Sequence, residues 1–236
     1  MKFLSKFYIG LVFLLLYIPI IVLIVFSFNE SGSLAEFSKF SFVWYEELFH
    51  DEEAFSALRN SLVLAVSSSL IATVLGTFGA LGLYRMKSKA VKKSILTVTN
   101  IPMMNPDIVT GVSMMLLFVA LAGFLKTREL FGFGTLLIAH VTFNIPYVIL
   151  SVMPLTLSGV VSGVTMVFVP SISTFYISQK LGAGKIDLVG DTIERLFQNV
   201  STYNVGAAMS LVMMILILIS LTIMNKFSDE EGGMVP

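Results

Sequence analysis

The chain has 236 residues, of which 56% are hydrophobic and 13% charged, and its formal net charge is zero. A soluble domain carries about 25% charged residues, so half the usual charge has given way to apolar side chains, as in a membrane protein. Neutrality argues against a nucleic-acid partner, while no cysteine and only His50 and His140 leave no disulfide framework, thiol nucleophile or obvious metal cluster.

Six apolar stretches are each long enough to cross about 30 Å of hydrocarbon. In chain order they are Tyr8–Phe28, Ser61–Tyr84, Ile95–Phe124, Thr135–Met153, Thr156–Ser178 and Val205–Met224. Lys2 and Lys6 precede the first. It is too long for a signal-peptide core and has no small-residue cleavage site after it, so it is expected to stay as a helix. The acidic segment Asn29–Asn60 follows, with Glu30, Glu36, Glu46, Glu47, Asp51, Glu52 and Glu53 against Lys39 and Arg59. The next short loop carries Arg85, Lys87, Lys89, Lys92 and Lys93 and no acid, which marks it as cytoplasmic and places both termini on that side. From Thr135 to Ser178 there are 44 residues without Asp, Glu, Lys or Arg. At 1.5 Å per residue they reach about 66 Å, whereas two crossings need about 60 Å, so almost nothing remains for a loop between spans four and five. Before the last span, Leu188–Val200 has apolar residues at helical spacing and reads as an amphipathic helix. Pro19, Pro102, Pro106, Pro146 and Pro170 fall inside spans and predict kinked or broken helices. The reading is a single, all-α, multi-pass transmembrane domain over residues 1–236, with about six transmembrane helices embedded in the lipid bilayer.

One segment is more specific. Asn100-Ile-Pro-Met-Met-Asn-Pro-Asp-Ile-Val-Thr-Gly111 resembles the third helix of bacterial spermidine/putrescine ABC-transporter permease subunits. Leu16-Tyr-Ile-Pro-Ile-Ile21 with Phe26-Ser-Phe-Asn29 is similar to their first helix, Trp44-Tyr45 to an outer-loop pair, and His140-Val-Thr-Phe-Asn-Ile-Pro146 to their fourth helix. Phe168–Ser178 with Leu181-Gly-Ala-Gly184 looks more like the companion permease of the same transporters. The resemblance implies an ABC type I permease-like bundle in a bacterial cell membrane, with no cofactor of its own. It implies a second permease subunit, ATPase subunits inside, and an extracytoplasmic polyamine-binding protein outside. Permeases of this kind carry a cytoplasmic loop marked by Glu-Ala-Ala that docks into the ATPase. Here Val152-Met-Pro154 runs directly into Leu155-Thr-Leu-Ser-Gly159, so that coupling loop is expected to be missing near residues 154–155. Some relatives also carry an acidic pair in the fifth helix, and Pro170–Phe175 has none.

Asp107 is the only acid inside any expected span. Intramembrane carboxylates are costly and usually face a cavity with a task, and a carboxylate suits a flexible chain of ammonium groups. The same residue fits a helix start, with Asn105 as N-cap, Pro106 first and Asp107 in the first turn. By resemblance Asp107, Trp44 and Tyr17 sit on the substrate path, although Trp and Tyr also populate the aromatic belts of any membrane protein. Gly76, Gly79 and Gly82 read as a close-packing face, His140 as a hydrogen-bonded packing residue, and the methionines as core filling. No nucleophile–base pair or phosphate-binding glycine loop occurs, so the chain does not read as an enzyme. Three functions remain open at this point: the permease subunit of an ATP-driven polyamine importer, a degenerate or non-transporting protein of that fold, and an ion-coupled secondary transporter.

Overall fold

The computed structural model describes residues 2–33, 36–104, 107–127, 130–153, 156–182 and 184–232. Helix α1 (Lys2–Ser27) is carried by a nearly continuous apolar run with Pro19 inside it. Its last turn tightens: Ser27 Oγ donates back to the Ile24 carbonyl at 2.6 Å and Asn29 N–H to the Phe26 carbonyl at 3.1 Å. The chain then folds back through an antiparallel bridge between Asn29 and Phe40 and enters α2 (Val43–His50). Helix α3 (Glu52–Arg85) begins well before Ser61, because Asp51 caps it by accepting the Glu53 N–H at 2.8 Å. Part of the acidic segment is therefore helix.

The stretch expected as the third span, 95–124, is carried by two helices, α4 (Lys89–Met104) and α5 (Asp107–Leu125). The expected cap and first residue, Asn105 and Pro106, lie outside the described residues. Helix α6 (Phe133–Val152) is followed after four residues by α7 (Leu157–Ser173), whose cap is the Thr156 hydroxyl accepting the Gly159 N–H at 3.1 Å. The expected missing-loop position, 154–155, again lies outside the described residues. Within the expected fifth span the helix stops at Ser173, Thr174 is extended, and α8 (Tyr176–Leu181) starts anew. The expected amphipathic helix is α9 (Val189–Phe197), and α10 (Tyr203–Gly232) completes the chain. Among the described residues α1, α3, α5, α6 and α10 are long and apolar enough to cross a membrane, and α7 is a shorter apolar helix.

The residues group into two compact units, one formed by the chain up to Phe55 with Ile193–Leu216, the other by Ser56–Thr192 with the chain from Ile217 on. In the first, Asn29 is a hub with no exposed surface. Its amide donates to the carbonyls of Ser33 at 2.7 Å and Glu36 at 2.9 Å, and its Oδ1 accepts the Ser38 N–H at 3.0 Å. Its own carbonyl accepts from Trp44 Nε1 at 2.7 Å and Asn204 Nδ2 at 3.1 Å.

The second unit holds two apolar clusters. Leu64, Phe118, Leu136, Ala139, Ile177, Leu181 and Leu188 form one, with Met114 and Met115 packed at its edge; Ala72, Ala80, Val148, Val152 and Val167 form the other. Helices α3 and α6 approach closely in the second cluster. A Cβ on Gly76 would lie 2.6 Å from Val148 Cβ, and one on Gly79 3.2 Å from Ile149 Cδ1. Gly82 departs from the expected face, since a Cβ there meets nothing within 4 Å. Polar atoms cross-link the same region: Asn144 Nδ2 donates to Ser171 Oγ at 2.8 Å, Ser68 Oγ donates to Ser171 Oγ at 3.3 Å, and Ser171 Oγ donates to the Val167 carbonyl at 2.6 Å. His140 is buried, as expected of a packing residue, and 2.8 Å separates its Nδ1 from the Leu136 carbonyl. A carbonyl only accepts, so Nδ1 carries the proton.

Candidate functional site

Asp107 is the first residue of α5 and is exposed. Position in the first turn suits a carboxylate, which faces the positive end of the helix dipole. Three- and four-residue steps place Thr110, Met114 and Leu117 below it on one face. Those three side chains, with Ser113, Pro102 of α4, and Thr142 and Phe143 of α6, line a cavity of about 220 Å³. Its wall is apolar with three hydroxyls, of which Thr142 Oγ1 donates to the Ile138 carbonyl at 2.8 Å.

One turn from Phe143 on α6 lies Tyr147. The Phe143 and Tyr147 rings are tilted at 56° with centroids 5.5 Å apart. Asp107 heads the α5 face whose residues line this cavity; a carboxylate attracts cations by charge, and an apolar wall suits an aliphatic spacer. The arrangement offers no group-transfer chemistry.

The other two expected residues lie in the first unit. Trp44 is half-buried, with its indole N–H bonded to the Asn29 carbonyl and its ring against Gly32. That ring braces the folded-back segment. Tyr17 is 54% exposed on α1 and stacks on Phe13 with centroids 6.4 Å apart. Among the described residues no hydrogen bond or ring contact joins Tyr17 to Trp44. Next to Trp44, Tyr45 shares a 2.7 Å hydrogen bond with Ser27, and burial raises its phenol above the usual value although that bond works the other way.

Sequence reasoning missed Asn29 and Tyr147. A lone tyrosine in an apolar run carries no signal, whereas Thr110 and Met114 were accessible by counting helical steps from Asp107.

Comparison with known proteins first gives the class. The chain has the fold of an ABC importer permease: it superimposes with a TM-score of 0.70, at 15% identity, on a chain of a bacterial alginate ABC transporter crystallised with its alginate pentasaccharide-bound periplasmic protein. That match covers 96% of this chain and 93% of the other. No family model matches. Among individual proteins, the spermidine/putrescine transport system permease protein PotC of Haemophilus influenzae is 37% identical over 150 residues, which is 64% of this chain and 56% of PotC. The putrescine transport system permease protein PotI of Escherichia coli K12 is 36% identical over 136 residues, 58% of this chain and 48% of PotI. The chain thus spans about half the length of the curated relatives it matches. These identities bear out the resemblance to polyamine ABC permeases, and the chain is a multi-pass membrane protein.

Proposed function

We propose that this chain is a transmembrane permease subunit of an ATP-driven polyamine importer, inserted with both termini in the cytoplasm. Asp107 at the head of the α5 face that lines the α4–α5–α6 cavity is the observation that carries the substrate class. In this reading Asp107 takes an ammonium group while the α4–α5–α6 cavity takes the methylenes between ammonium groups. Trp44 and Tyr17 contribute aromatic surface on the same path, Trp44 through the position that Asn29 gives it. A second permease subunit completes the channel, ATPase subunits supply hydrolysis, and an extracytoplasmic binding protein delivers the polyamine. Alternating access follows from ATP-driven closure of the ATPases, which reorients the permease pair.

The four residues between α6 and α7 favour a second reading, a permease-fold protein whose usual ATPase-docking loop is absent. Co-purification of the chain with its companion permease and ATPase, followed by polyamine-stimulated ATP hydrolysis, separates the two. A stable complex with stimulated hydrolysis is expected; insertion without retention of the ATPase would sink the importer reading. Within a working complex, Asp107→Asn should lower polyamine uptake about tenfold or more, since a hydrogen bond to a charged group is worth about 1.5–3 kcal/mol. Unchanged uptake would remove Asp107 from the path.

A further inference from the structure

The turn from α3 into α4 carries a charge that takes no part in the proposed polyamine path. Arg85, Lys87, Lys89, Lys92 and Lys93 lie within nine residues without an acid among them. Among the described residues no ion pair is found between a carboxylate and these five side chains. Helix α4 is also unusual in having no buried residue. Lys92, Leu96 and Thr99 are half-buried, which identifies the inward side of the helix. Away from that side, Val91, Ile95 and Val98 are 49%, 37% and 64% exposed. Steps of four and three align these three in one stripe. The stripe starts beside the lysines and runs along the helix away from them. One end of the surface is therefore cationic and the remainder apolar.

We propose that the α3–α4 turn and the outer stripe of α4 form a docking surface for one anionic phospholipid of the surrounding leaflet. Its phosphate lies among Lys89, Lys92 and Lys93, and an acyl chain runs along Val91, Ile95 and Val98. Charge complementarity selects this occupant. A zwitterionic lipid fits the stripe but leaves the cluster uncompensated, and a soluble anion fits the cluster but leaves the stripe bare. Each basic residue near an anionic surface strengthens binding roughly fivefold. The surface is independent of the Asp107 cavity, so the proposal stands or falls separately from polyamine transport.

The test uses the full chain purified in neutral detergent and exposed to an equimolar mixture of phosphatidylglycerol and phosphatidylethanolamine, with bound lipid read by native mass spectrometry. Retention of phosphatidylglycerol over phosphatidylethanolamine is expected, with at least about a tenfold loss of that preference in Lys89→Gln/Lys92→Gln/Lys93→Gln. Val91→Ser/Ile95→Ser/Val98→Ser should weaken retention of both lipids while keeping the preference. All substituted side chains are exposed or half-buried, and a single symmetric elution peak confirms that each variant folds. Equal retention of the two lipids by the unaltered chain would overturn the proposal, as would an unchanged preference in the lysine variant. Loss of a co-purifying acidic protein from the lysine variant, with phosphatidylglycerol retention intact, would assign the surface to a protein and overturn it equally.

Discussion

Helices α1 and α6 are both apolar enough to cross a membrane, with mean hydropathy of 3.1 and 1.7 over their most apolar windows, and are opposite in fate. The most apolar window of α1 has no buried residue, whereas 56% of the corresponding window of α6 is buried. What separates them is polar composition. Helix α6 buries Thr135, His140 and Asn144, each donating to a neighbouring oxygen, while the apolar stretch of α1 offers leucine, isoleucine, valine and phenylalanine to its surroundings. In lipid an apolar surface gains nothing by being covered, so burial goes to helices with something to satisfy or a small residue that permits close approach.

Substitutions can break or sharpen that contrast. The largest effect is expected from paired truncations. Leu136→Ala in the α6 cluster should cost about 2–4 kcal/mol by cavity creation, and Leu14→Ala on α1 less than about 0.5, read as thermal unfolding in detergent. Similar losses at both positions would show that α1 is packed as tightly as α6. Next comes Gly76→Ala, which forces a methyl against the branched Val148 and should destabilise by about 1–3 kcal/mol. Combining it with Val148→Ala should recover part of that loss; strict additivity would mean that the two helices do not meet there. The smallest effect is a double-mutant cycle over Asn144→Ala and Ser171→Ala, where a coupling of about 0.6 kcal/mol is expected for an interhelical hydrogen bond in a membrane protein. A coupling indistinguishable from zero would reduce that bond to a bystander and leave packing alone to explain α6.

Much of the fold was legible because bilayer thickness imposes a length that composition can reveal. Breaks inside apolar runs were less visible. Pro102 and Pro170 signalled interruption, yet nothing in the residues said that the helix would stop at Ser173, where Thr174 turns extended. The glycine series illustrates the limit of spacing rules. Steps of three fall about 60° short of a full turn, so from Gly76 to Gly82 the row rotates away from α6 and the last glycine loses its partner. Asp107 stood out as the one acid inside an expected span, but the cavity along its helix depends on which faces of α4, α5 and α6 meet, and no single segment encodes that. Trp44 illustrates the converse: the residue was conspicuous, and its brace, Asn29, reads in sequence as an ordinary turn residue.

Asn29 also has a mechanical consequence. Its side chain closes the loop at residues 33, 36 and 38, and its carbonyl holds Trp44 and the first turn of α10. A displacement of residue 33, 36 or 38 is thereby relayed through one side chain to the residue that follows the end of α1, with this asparagine as the fulcrum.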